Sequence, residues 1–182
     1  MQKNEKQSFN SLVMVATLAM LIALEIVLSR LVPVINSQQL KISFAFLPVA
    51  IASYLYGIKG GAAVGGISDV LGAVLFPVGD FFPGFTLTAI LQGVVFGFFL
   101  GKKSDGKFNA FLRAFIPVMI TQICGSLLLN TFWISYMYHS PFIGVLVPRI
   151  MQTVAMIAVE SAVIPLFCQS FSKIRSIKML RN

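Results

Sequence analysis

What most limits the folds open to this chain is the recurrence of long, nearly uncharged apolar stretches. Six can be drawn, at about residues 10–28, 43–58, 61–76, 85–101, 110–135 and 147–170. A helix crossing the hydrocarbon core of a bilayer needs roughly 20 such residues. Segments there must satisfy their own backbone hydrogen bonds, which for apolar runs of this length means helices. The sequence therefore predicts an all-α, polytopic membrane protein, one integral domain over 1–182 with six transmembrane helices. Charged residues make up 11% of the chain and hydrophobic ones 57%, against about 25% charged in ordinary soluble domains.

The connections are short. Pro33 breaks the chain after the first run, and Gly57-Ile58-Lys59-Gly60-Gly61 predicts a tight turn between the second and third. The segment PVGDFFPG (77–84) follows the third run, GKKSDGKFN the fourth, and a loop with Pro141 the fifth. The first run is too long for a cleavable signal and has no convincing small-residue cleavage site, so it is expected to stay as a helix. The formal net charge of +8 would suggest nucleic acid in a soluble protein, but membrane proteins gather Lys and Arg in cytoplasmic loops. With the N-terminus inside, eleven basic residues fall on inner segments and only Arg30, Lys41 and Arg149 on outer ones. Both termini and the 102–109 loop are predicted to be cytoplasmic, with no nucleic-acid partner. The three outer cations border the loops that would cover a site open to the outside.

Polar groups within a bilayer are costly and normally face a bundle interior or a cavity. The stretch Gln122–Gln152 holds Asn130, Trp133, His139 and Arg149 and reads as one wall of a binding site. At ~100° per residue, Arg149, Gln152, Met156 and Glu160 share one face of the sixth helix. Gln122, Ser126 and Trp133 share a face of the fifth, with Asn130 at its margin. These faces either look at each other across a cavity or bond helix to helix. Asp69 lies eight residues after Gly61, ~12 Å along a helix, as a ligand group or a buried helix tie. Glu25 can pair with Arg30 or a ligand.

Small residues recur at four-residue spacing: Ala19 and Ala23; Gly57, Gly61 and Gly65; Gly93, Gly97 and Gly101. Such stripes let helix backbones approach closely. The glycine series read as packing inside the bundle, whereas the alanines can face another subunit. Cys124 and Cys168 sit in apolar runs without metal spacing, and His139 stands alone, so no metal site is expected. Gly101–Phe108 nearly matches a phosphate-binding loop, but Phe108 stands where Ser or Thr must hold Mg²⁺ and no strand precedes it. No nucleophile–base pair is present, so no catalytic residue and no cofactor are assigned. Uphill movement of a solute would draw on a partner or an ion gradient.

Taken together, ISDVLGAVLFPVGDFFPGFTLTAILQG (67–93), LLLNTFWISYMY (127–138) and VPRIMQ (147–152) resemble the substrate-binding S-components of energy-coupling factor (ECF) vitamin transporters, in particular the folate-type branch. Asp69, the FPGFTL run at 82–87 and Asn130-Thr131-x-Trp133 with Pro148-Arg149 carry the likeness, which spans all six runs. The resemblance implies a six-helix S-component in a bacterial cell membrane, not itself an enzyme, with a vitamin site near the outer surface. It also implies a module of one transmembrane coupling subunit and two ATPases, with Ala19 and Ala23 on the docking face, and a subunit that topples to carry its vitamin across. Folate joins a flat pterin to a dicarboxylate tail. Trp133 and Phe85 offer ring faces, Asn130, Gln152 and Asp69 offer hydrogen bonds, and Arg30, Lys41 and Arg149 offer partners for carboxylates. A sibling subunit for another vitamin, a membrane enzyme or an assembly protein are the alternative readings.

Overall fold

The computed structural model describes residues 2–31, 35–36, 41–77, 79–101 and 110–173. Helix α1 (Gln2–Ile26) ends in a π-helical turn, Val27–Leu31. The strands β1 (Ile35–Asn36) and β2 (Lys41–Ile42) form a two-residue antiparallel ladder in the first loop. There follow α2 (Phe46–Leu75), α3 (Pro83–Leu100), α4 (Ala110–Ile120), a π-helical segment Thr121–Leu129, α5 (Asn130–Tyr138) and α6 (Phe142–Lys173). Among the described residues, five helical stretches are long and apolar enough to cross a membrane. The expected all-α membrane bundle is present, and the 102–109 loop, Ser37 and the basic tail from 174 lie outside the described residues.

The difference between six expected spans and five helical stretches lies at Gly57. The second and third runs are two arms of α2, broken by this single residue at φ 66°, ψ −152°, a conformation open to glycine because it lacks Cβ. The break is a sharp corner. A Cβ at Gly60 would stand 2.9 Å from the Ala52 carbonyl oxygen, although residues eight apart on a straight helix are ~12 Å apart. The expected tight turn is there, compressed from five residues to one.

Both glycine series act as the spacing suggested. A Cβ at Gly65 would lie 2.5 Å from the Ala89 carbonyl oxygen, and one at Gly97 would collide with the Cα of Ile58. Gly61 and Gly93 meet backbone to backbone, and Ser53 Oγ donates to the Gly93 carbonyl at 3.3 Å. Lipid is as apolar as leucine, so close van der Waals packing rather than burial from water holds such a seam. The apolar core continues from it through Phe96, Leu100, Ala114, Val118 and Ile164. Arg113 donates to the Phe99 and Leu100 carbonyls at 3.3 and 3.1 Å, satisfying the C-terminal end of α3 and its partial negative charge.

Ala19 and Ala23 are both exposed on α1, beside the exposed Val15, Met20 and Val27. Helix α6 begins one and a half turns earlier than the sequence suggested. A sixth run from about 147 would put Pro148 in the first turn and Arg149 at its outer start, but the helix starts at Phe142 and places Arg149 in its interior, 6% exposed.

Candidate functional site

At the end of the bundle that carries the 76–83 loop, α2, α3, the π-helical segment and α6 diverge around a half-open cavity of about 500 Å³. That is within the range of small-molecule sites, roughly 300–1,000 Å³. Six of the eight expected ligand residues lie on its wall: Arg30, Asp69, Phe85, Asn130, Arg149 and Gln152. The turn Val27–Leu31 brings Arg30 over α2, where its Nη2 is 3.7 Å from Asp69 Oδ1. Thr86 Oγ1 donates to the other Asp69 oxygen at 2.7 Å. Asp69 thus ties the first loop and α3 to α2, the helix-tie role that the sequence left open. Phe85 enters the wall because Pro83, at the first turn of α3, starts the helix directly after the loop.

The polar face of α6 is as the helical period predicted. Gln152, Met156 and Glu160 join Arg149 on the cavity wall, all buried. Arg149 Nη2 donates to the Ser126 carbonyl at 3.1 Å, a bond across the cavity to the π-helical segment. Gln122 Nε2 donates to Glu160 Oε1 at 2.6 Å. The facing surface differs from expectation in one respect. A π-helix closes i→i+5 bonds and holds more residues per turn than an α-helix, so positions four apart stay nearly aligned. Gln122, Ser126 and Asn130 therefore all reach the wall. The α-helical count had put Trp133 on that face and Asn130 at its edge.

Trp133 stands behind the wall. Its Nε1 donates to Thr88 Oγ1 at 3.3 Å, its ring lies 5.4 Å from that of Phe82, and it covers Gly84, where any Cβ would strike it. The indole buttresses Thr88 and Phe82, which do line the cavity. Lys41 sits in β2 opposite Asn36, and its side chain is not among those described. The expected site omitted Gln122 and Glu160. Their signal was present, since Glu160 continues the 149–152–156 face and Gln122 faces it from the fifth run. Among the described residues no three His, Cys, Asp or Glu side chains converge as a metal site.

A membrane-embedded helix bundle that holds a half-open cavity lined by aromatic rings, two arginines and amide side chains is a receptor for a small polar solute. The sequence matches the ECF transporter, substrate-specific component family over residues 13–167, and the chain belongs to that family. It is 34% identical to the folate transporter FolT of Clostridium novyi (strain NT) over 81% of this chain and 83% of that relative. It is 30% identical to the folate transporter FolT of Leuconostoc mesenteroides subsp. mesenteroides, over 79% and 77%. A solved structure described as the crystal structure of FolT bound with folic acid aligns with a TM-score of 0.73 at 30% identity, covering 81% of this chain and 86% of that one.

Proposed function

We propose that this protein is the folate-capturing subunit of an ECF transporter: it binds folate or a close derivative from the outer side and delivers it inward when docked on an ATP-driven module. The observation that carries the reading is the cavity itself, built from the residues of the folate-type motif and matched in fold by a folic-acid-bound relative. Asn130 and Gln152 supply hydrogen bonds to a flat ring, and Phe85 supplies a face. Arg149 supplies a charge-assisted donor, and Arg30 with Lys41 attracts the carboxylates at the mouth. Trp133 holds this wall in shape, and Asp69 orients Arg30.

The chain supplies the solute site, and the partner subunits supply ATP hydrolysis. The family relationship and the exposed small-residue face of α1 support docking of a transmembrane coupling subunit at Ala19 and Ala23, with two ATPases completing the module. Bulky replacements there are expected to abolish transport and co-purification of the coupling subunit while ligand binding survives. The charge bias supports cytoplasmic termini. Cysteines placed at Ser37 and Lys103 are expected to label from opposite sides, and labelling of both from outside would overturn this orientation. The function itself is tested by identifying the molecule that co-purifies with the protein, by absorbance and mass spectrometry. A folate supports the reading, and a different vitamin replaces it with a sibling subunit.

A further inference from the structure

At the floor of the cavity, hydrogen-bond acceptors outnumber donors. Glu160 is 1% exposed and Gln122 5%. One bond joins them, from Gln122 Nε2 to Glu160 Oε1 at 2.6 Å. Glu160 Oε2 and Gln122 Oε1 are each buried without a hydrogen-bond partner in the protein. Both residues line the cavity. Buried polar atoms are nearly always paired, and each exception calls for an explanation. A carboxylate on a membrane helix is the most expensive kind of exception. A purely structural role explains it poorly, because apolar residues of similar volume commonly replace buried ionic groups without loss of stability. Arg149 does not answer Glu160 either. It stands eleven residues away, ~16 Å along α6, and donates to the Ser126 carbonyl.

We propose that Glu160, with Gln122, is a specificity-determining floor that selects ligands by an edge of paired N–H donors. This rests on the folate reading and deepens it. Of folate's two ends, the dicarboxylate tail carries only acceptors when ionised, and it has no donor to offer the unpaired oxygens of Glu160 and Gln122. The pteridine end carries an exocyclic 2-amino group beside a ring N–H. Two parallel donors on an N–C–N edge meet a carboxylate in the geometry that makes the guanidinium–carboxylate fork strong. The pteridine therefore enters first, with its 2-amino edge against Glu160 and the tail toward the loop end and Arg30. The ligand class follows from the same chemistry. A neutral 2,4-diaminopteridine keeps the 2-amino group but has no N–H on the adjacent ring nitrogens, so it offers the carboxylate one donor in place of two until the ring takes up a proton. A 2-deamino analogue leaves the carboxylate unanswered and is excluded.

The test is a competition series against folic acid on the full-length purified protein, using 2-deaminofolic acid and the 2,4-diamino analogue aminopterin, repeated on Glu160→Gln. The unmodified protein should bind neutral aminopterin more weakly than folic acid, with a deficit that shrinks as falling pH protonates the pteridine ring and restores the N–H pair. It should lose about ten- to a hundred-fold on the 2-deamino compound, the scale of one charge-assisted hydrogen bond. In Glu160→Gln the affinity for folic acid should fall by a similar factor, and the difference between folic acid and its 2-deamino analogue should collapse. Equal binding of the two compounds by the unmodified protein overturns the proposal, even if the variant does not fold. So does neutral aminopterin bound as tightly as folic acid, or full discrimination retained by Glu160→Gln. Failure of the unmodified protein to bind folic acid at all, with binding of another vitamin, removes the folate reading and this floor assignment with it.

Discussion

The seam between α2 and α3 and the gap between the π-helical segment and α6 place polar groups inside a membrane bundle in opposite ways. At the seam, Gly61 meets Gly93 and Gly97 meets Ile58 with no space for a Cβ. The polar atoms there are backbone carbonyls and the Ser53 hydroxyl that answers one of them. Across the gap, α6 presents Arg149, Gln152 and Glu160 to Gln122, Ser126 and Asn130 around about 500 Å³ of space. Several acceptors there have no donor in the protein. Complete packing with satisfied polar atoms marks a structural interface. A cavity lined by unsatisfied ones marks a place where a ligand completes the hydrogen bonding.

The largest effect should come from forcing the seam. Gly97→Leu has no position for its side chain beside the Ile58 backbone, and overpacking of this kind costs about 3 kcal/mol or more. Thermal unfolding of the purified protein should shift down sharply, with binding lost as a consequence. An unchanged unfolding profile would mean that α2 and α3 are not in backbone contact. Across the gap the pattern should invert, with binding affected before stability. Arg149→Ala should weaken folate binding by about 1.5–3 kcal/mol, on the order of ten- to a hundred-fold by titration. Arg149→Lys should restore part of this, because a point charge lacks the planar fork. Unchanged affinity in a folded Arg149→Ala protein would leave the bond to Ser126 as its whole role.

Asp69→Asn lies between the two regimes. It removes the charge facing Arg30 but keeps an oxygen for Thr86, and a long ion pair, 3.7 Å apart on the wall of a half-open cavity, is worth about 1 kcal/mol or less. Its effect on unfolding should be correspondingly small, and a shift as large as that of Gly97→Leu would make Asp69 part of the structural seam. The smallest signal is chemical. Cys124 is exposed and lines the cavity, so saturating folate should slow its reaction with maleimide. An unchanged rate would place the ligand away from the π-helical segment.

The sequence carried the bundle well because apolar runs and helical period act locally. The face Arg149–Gln152–Met156–Glu160 follows from the α-helical repeat alone, and the glycine stripes announced the seam. Two features depended on geometry that no single run encodes. The widened turn at Thr121–Leu129 moved Asn130 onto the wall and Trp133 behind it, and nothing in TQICGSLLL distinguishes π from α spacing. Glycine at position 57 was legible as a turn, but its reduction to one residue depends on how Gly60 and Gly61 pack against Ala52 and Ser53. The pairing of Arg30 with Asp69, which lie 39 positions apart in the chain, likewise appears only once the first loop folds back over α2. Glu160 was visible on its face, but its weight comes from burial and from the oxygen left without a partner.

The most direct test of the account is an equilibrium titration of the purified, ligand-stripped protein with folic acid, set beside riboflavin, thiamine and biotin, and followed by Trp133, the single tryptophan of the chain. Because Trp133 buttresses Thr88 and Phe82 on the cavity wall, its emission should report occupancy. The account predicts saturable binding of one folic acid per chain, with the other vitamins failing to compete. Saturable binding of one of those vitamins, with no response to folic acid, would contradict it.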